Sequence, residues 1–170
     1  IAPPLAGVGA RLNAGQMPNP DHLVVGWTND SIYRKRQVEL AKQIFQIMGI
    51  TREDKVKRAQ WMERGFRYFD APVAIMIYVD RSLSESGPLL DVGAVMQNIC
   101  LAALHFGLGT CIEDKGVMYP EVVKKFAGIP ESKRLVIAIS MGYSDESAQA
   151  NMVASTRESV DSLTTWVGFG

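Results

Sequence analysis

The sequence predicts an α+β fold, and three features carry that prediction. Residues 91–111, DVGAVMQNICLAALHFGLGTC, are apolar almost without a break up to Phe106. Such a segment reads as a long buried central helix, because no side of it is left to meet water. Two short apolar runs, residues 71–79 and 135–141, are bounded by turn signals and have the length of buried strands. Amphipathic helical segments accompany them, and helices mixed with short buried strands in this way give the α+β class.

Taken in order, residues 1–30 are rich in Gly, Pro and Asn and are expected to be irregular, with a short strand within 22–27. Ser31 suits an N-cap, and Val38, Leu40, Ala41, Ile44, Phe45 and Met48 form one apolar helical face that Gly49 closes. Arg34, Lys35 and Arg36 stand in its first turns, against the helix dipole. They read either as a wet surface or as a basic cluster for an anionic group. Thr51 with Asp54 forms a capping signal for a second helix ending near Arg67. Ala71 precedes Pro72, which pushes it toward extended backbone and suits a strand start. In the central segment Asp91 is a candidate N-cap, and Asp91, Asn98 and His105 recur every seven residues on one stripe. Gly107 fits a helix stop, and Gly109 lets backbone approach another group closely. A short strand at 110–112, a helix at 118–126 ended by Gly128, the strand at 135–141, a polar loop at 144–155 and a short helix at 159–166 complete the chain. A single domain, 1–170, is expected.

Eighteen basic and eighteen acidic side chains cancel. A general nucleic-acid binder or a binder of acidic membranes needs a basic field that is missing here. No apolar run is long and uncharged enough to span a bilayer, and residues 1–10 lack a basic leading segment. A soluble, cytoplasmic protein without membrane or nucleic-acid partners is the expectation. A chain opening at Ile1 is expected to be processed, trimmed or part of something longer. Cys100 and Cys111 form no disulfide framework and read as two small buried thiols. His22 and His105 cannot assemble a metal site at sensible spacing.

The pattern D-x-G-x-x-x-Q-N-I-x-L-A-A-x-x-x-G-L-G-T-C resembles the central helix and following loop of the FMN-dependent nitroreductase family. Supporting matches stand in family order: residues 49–55, then Phe69-Asp70-Ala71-Pro72-Val73, Gly142-Tyr143, Asn151, Arg157 and Trp166-Val167-Gly168-Phe169. The resemblance implies a nitroreductase-like fold, with a central mixed sheet flanked by helices and the long helix at a homodimer interface. It implies FMN as cofactor, NADH or NADPH as electron donor, and nitroaromatic, quinone or related small acceptors reduced by ping-pong hydride transfer. Carried over by position, Gly107, Leu108, Gly109, Thr110, Cys111, Ile112 and Glu113 run along the isoalloxazine, and Arg157 pairs with the FMN phosphate through its guanidinium fork. The resemblance assigns no catalytic acid or base, because the flavin does the redox chemistry. Taken singly, the glycine loop is also a plain helix stop and Arg157 a surface arginine.

The family's Arg-rich phosphate-binding beginning has no match in residues 1–30, so the chain is expected either to hold FMN with contacts from elsewhere or to have lost it. Glu113 stands where relatives often carry glutamine, and a carboxylate there disfavours an anionic reduced flavin. Two alternatives follow from these departures. One is a cofactor-independent isomerisation or cyclisation using Asp91, Asn98, His105, Glu113 and Tyr143. The other is a non-catalytic ligand-binding dimer.

Overall fold

A computed structural model of the chain describes residues 3–24 and 26–168, with side chains from residue 7 onward. Val25 of the expected 22–27 strand and Phe169 of the C-terminal match lie outside the described residues. Two units emerge, Ile1–Gly26 with Arg52–Ser144, and Trp27–Thr51 with Asp145–Gly170. The first holds helix α1 (Pro3–Asn13), α3 (Lys55–Phe66), α4 (Leu89–His105) and α5 (Pro120–Ala127), with strands β1 (Val73–Asp80), β2 (Gly109–Glu113) and β3 (Lys133–Gly142). The second holds α2 (Ile32–Ile47) and α6 (Val160–Leu163).

The three strands form one sheet in the order β1-β3-β2. Residues 134–140 of β3 are buried throughout, which is why LVIAIS reads as a continuous apolar run. Every described pairing is antiparallel, whereas a mixed sheet is expected from the resemblance. The physical reason lies in the order: β1 and β2 run in the same direction across the α4 connection, but β3 is inserted between them and opposes both. The register slips between Ile77 and Tyr78, leaving Val136 without a partner on β1. Val136 and Ile137 consequently both pack with Val92 of α4. The other face of the sheet carries Leu135 and Ala138, packed with Tyr68, Val117 and Val123.

Helix α4 is covered by its own chain on one side. Within this chain only Val92 and Ala103 of the helix are buried, while Leu90, Val95, Leu101 and Leu104 are exposed. One face meets the sheet, and Leu90, Val95, Leu101 and Leu104 are left uncovered by the described residues of this chain. Asp91 is also not the N-cap. The helix begins two residues earlier, after Pro88, and Asp91 sits in the first turn, where a carboxylate complements the dipole.

At the N-terminus the expected irregular segment contains α1. Prolines are tolerated in a first helical turn, and the helix buries Val8 and sets half-buried Gly7 against α5, where a Cβ on Gly7 would come within 2.8 Å of Val122 Cγ1. No strand forms at 22–24 or 26–27. Instead the chain is pinned by Asp21, whose carboxylate accepts from Lys124 Nζ at 2.8 Å, from the Leu135 amide at 3.0 Å and from Arg81. Asp54 rather than Thr51 caps α3, accepting from the Lys57 amide at 2.9 Å.

In the second unit, α2 is capped as its sequence predicts, by Ser31 Oγ accepting from the Arg34 amide at 3.1 Å. Arg36 pairs with Glu158, tying the helix to the segment before α6, which Ser159 caps. The expected polar loop contains a 3-10 turn, Gln149–Met152.

The Asp21–Lys124 pair is nearly sealed, with side chains 9% and 2% exposed. Asp21→Asn leaves the buried Lys124 ammonium only the exposed Glu131 carboxylate at 3.5 Å, and we expect a loss of about 3 kcal/mol in urea unfolding. Burial raises the Asp21 carboxyl, but hydrogen bonds from Lys124, the Leu135 amide and Arg81 outweigh it and hold the group below its ordinary value of 3.8. Its stabilisation is therefore full above that value and is lost as pH falls through the lower folded value. The variant's acid unfolding should lose this component. Unchanged acid sensitivity would contradict the assignment.

Candidate functional site

The glycine loop after α4 is built by a helix cap. Phe106 ends the helix, Gly107 takes the left-handed conformation (φ +69°), its amide donates to Leu104 O at 3.0 Å, and the Leu108 amide donates to Ala103 O at 3.0 Å. This paired closure satisfies the last carbonyls and turns the chain sharply. The next residues become β2 at once, paired with β3 from Gly109 opposite Gly142 to Glu113 opposite Ala138. Because β2 is an edge strand, alternate residues turn their N–H and C=O groups to an unpaired edge. A Cβ on Gly109 would lie 2.4 Å from Ser144 Oγ and 3.5 Å from Gly142 O. Thr110 is half-buried, while Cys111 and Ile112 are exposed. Cys111 is thus not the buried thiol its sequence setting suggests, since on a five-residue edge strand its side chain has only part of a neighbour to cover it.

Behind this edge lies a buried acid. Residues opposite each other share a face, so Glu113 points with Ala138 into the cluster of Tyr68 and Val117, away from α4. Glu113 is 7% exposed, and neither carboxylate oxygen has a hydrogen-bond partner. Desolvation by this burial pushes its carboxyl from 4.5 up to about 7. The nearby Ser140 hydroxyl opposes the shift, but its one proton goes to Cys111 O at 3.3 Å.

Tyr68 faces the same space and is the residue the sequence reading misses. Its hydroxyl donates to Gly116 O at 2.9 Å, and burial with the neighbouring Glu113 pushes its phenol up to about 12. Tyr68, Phe69 and Asp70 all have positive φ, at 53°, 53° and 61°. Three successive non-glycine residues there cost on the order of 1 kcal/mol or more each. The turn is held by Arg67 Nη2 donating to Asp70 Oδ2 at 3.0 Å and by the closeness of Gly116, where a Cβ would lie 2.3 Å from Tyr68 Cε1. The one sequence signal for this seat is Gly116 itself, three residues after the strand.

The remaining candidates do not join this cluster. Asp91, Asn98 and His105 are exposed on α4, on the opposite side of the sheet from Glu113, and Tyr143 is 83% exposed. An acid–base pocket drawing on Glu113 and the α4 stripe together is therefore not formed. Arg157 lies in the second unit, exposed, its Nη1 donating to Ser155 Oγ at 2.6 Å and to Thr156 O at 3.1 Å. Also in that unit, Arg34 and Lys35 line a surface pocket with Asn29, Val38, Glu39 and Lys42, while Arg36 is taken up by Glu158.

Comparison with known proteins converges on one family. The model of the nitroreductase family matches residues 22–143. The chain is 32% identical over 135 residues to a chloronitrobenzene nitroreductase of Comamonas testosteroni, covering 79% of this chain and 59% of that protein. It is 33% identical over 135 residues to a nitrobenzene nitroreductase of Ectopseudomonas oleovorans, with the same two coverages. It therefore spans about three fifths of the length of the curated relatives it matches. Among solved structures it is similar in fold to the FMN and NADPH-dependent nitroreductase NfnB from Sphigopyxis sp. strain HMH, with a TM-score of 0.88, 24% identity and coverage of 98% of this chain and 74% of that one. The corresponding values for NfnB from Mycobacterium smegmatis in complex with NADPH are 0.85, 20%, 96% and 72%.

Two outcomes follow from the buried cluster. The Glu113 carboxyl is raised in the folded state, so its stabilising protonation is complete below 4.5 and is lost as pH rises through about 7. Urea unfolding should weaken by roughly 3 kcal/mol across that window, and Glu113→Gln should remove that fall. A wild-type profile parallel to the variant's would contradict the burial of this acid. Gly116→Ala should displace Tyr68 and cost about 1–3 kcal/mol, seen as a lower unfolding midpoint and altered near-ultraviolet tyrosine dichroism.

Proposed function

The chain belongs to the nitroreductase family, and on that premise we propose that it forms the site of an FMN-dependent NAD(P)H oxidoreductase. In this reading it reduces nitroaromatic, quinone or related small acceptors by ping-pong hydride transfer. The observation that carries the proposal is the edge strand Gly109–Glu113, placed directly behind the closure of α4 and inside the segment the family model matches. The names of the two curated relatives point to nitrobenzenes as an acceptor class.

The residues present suit a flat, hydrogen-bonding cofactor. An edge strand offers backbone N–H donors at alternate positions without any side chain intervening. Gly109 has its backbone against Gly142 and Ser144, with no space for a Cβ there. FMN, when bound, supplies hydride transfer between nicotinamide and acceptor. The protein's part is to bind and orient it: the backbone of Gly107, Leu108, Gly109, Thr110, Cys111, Ile112 and Glu113 follows the ring, its outward N–H groups donating to ring acceptors. Arg157 is proposed to pair with the FMN phosphate, a role its guanidinium fork suits. The neutral form of Glu113 keeps negative charge from accumulating behind the strand.

The proposal includes a homodimer. Val95, Leu101, Leu104 and Phe106 are 51–69% exposed on and just beyond α4, an apolar surface that a second copy would cover. No described helix is long and apolar enough to cross a membrane, and a cytoplasmic location is part of the same reading.

The test is direct. The purified chain is mixed with FMN, desalted and examined for visible flavin bands, then assayed for NADH- and NADPH-dependent reduction of nitrobenzene and a quinone. Retained flavin with nicotinamide-dependent turnover is expected. Gly109→Val should weaken FMN binding by about tenfold or more, equivalent to about 1.4 kcal/mol. A colourless protein that turns over neither acceptor would overturn the proposal.

A further inference from the structure

A buried carboxyl with both oxygens unpartnered calls for an account of what compensates it when it ionises. The groups facing Glu113 come from four segments. The Tyr68 phenol is committed to Gly116 O, and the Ser140 hydroxyl of β3 to Cys111 O. The Cys111 thiol shares its face of β2, and the following turn adds the Asp114 carboxylate and the Lys115 ammonium. Among these, only Lys115 can neutralise a carboxylate.

Lys115 is engaged elsewhere. Its Nζ donates to Met62 O of α3 at 3.3 Å, lies 3.4 Å from Met62 Sδ and sits 5.9 Å over the Phe66 ring. The stem runs across Gly65, where a Cβ would come within 2.6 Å of Lys115 Cδ. That anchorage is a neutral carbonyl and a thioether, weak partners beside a carboxylate. The ammonium thus has one seat on α3 and a second, two residues up its own chain, that becomes attractive only when Glu113 loses its proton.

We propose that Glu113 and Lys115 form a proton-controlled latch, in which ionisation of Glu113 draws the Lys115 ammonium off Met62 and shifts the turn that follows β2. With the carboxyl neutral, Lys115 rests on α3 and the strand end keeps the conformation described. With the carboxyl ionised, its proton having passed to solvent, the ammonium pairs with it and the backbone of residues 113–117 follows. Burial places the transition near neutral pH, about 7. The Lys115 ammonium, whose own value burial lowers, gains charge stabilisation from the move. The strand end that shifts is the one assigned to the flavin, so the functional consequence, though not the latch itself, rests on that reading: FMN affinity should fall as Glu113 ionises.

The Met62 methyl group reports the latch without any cofactor. In protein labelled with methyl-13C methionine, with the Met62 signal assigned through Met62→Leu, that signal should shift in one step near neutral pH. Glu113→Gln and Lys115→Met should each abolish the step. His22 and His105 are present in both variants, so a step that is lost in them does not come from either histidine. A Met62 signal that stays fixed in the wild type, or a step that persists in either variant, would overturn the latch. FMN fluorescence titration at about pH 6.5 and about pH 8.5 tests the consequence, with about tenfold weaker binding expected at the higher pH and no such loss in Glu113→Gln. Equal affinity at both values would overturn the coupling to the site. FMN bound by neither protein would overturn the flavin reading, and the Met62 titration alone would then decide the latch.

Discussion

Burial of β3 is the constraint from which the first unit follows. Both other strands pair only with it, so its backbone is satisfied on two sides while residues 134–140 are enclosed on two faces. α4 takes one face and the cluster around Tyr68 takes the other. This arrangement makes β2 an edge strand, and the closure of α4 at Gly107 delivers the chain to that edge through the three-residue turn 106–108. A strand that is half paired by position, rather than by any special side chain, is what a ligand reading backbone groups requires.

The same unit treats two buried acids in opposite ways. Asp21 is surrounded by donors from Lys124, Arg81 and the Leu135 amide, and it pins residues before Asp21 to α5 and β3. Glu113 has no such partners, and its setting is sustained by a strained left-handed turn at Tyr68 that packs on Gly116. Removing a single partner from a satisfied pair is costly, whereas an unpartnered acid is costly as it stands. A fold retains such a cost where a group does something besides hold the structure together. Its position on the strand assigned to the cofactor connects the strain to that strand's role.

Much of this was legible in the sequence, for identifiable reasons. Pro72 and Gly142 bound two of the three strands, and Ser31 caps α2 through a local hydrogen bond that needs no tertiary partner. Where long-range packing decides, the reading fails. The Gly- and Pro-rich start forms α1 because Val8 and Gly7 find a seat on α5. Asp91 is displaced from its cap because the helix starts after Pro88. The apolar α4 reads as buried, but a sequence cannot say whether its own chain or a second copy covers each face. The Tyr68 turn has little local signal, since of its three residues only Asp70 is of a type enriched at positive φ. The burial of Glu113 depends on register with Ala138, which is set by β3 rather than by the strand itself.

The central claim is that the open edge of β2 is where the cofactor is read. Backbone amide chemical shifts in 15N-labelled protein, followed while FMN is added, test it most directly. The account predicts that amides within residues 107–113 move most, with an alternating pattern along the strand as outward N–H groups engage and inward ones stay on β3. Perturbations spread over other surfaces, with residues 107–113 unmoved at saturating FMN, would contradict it.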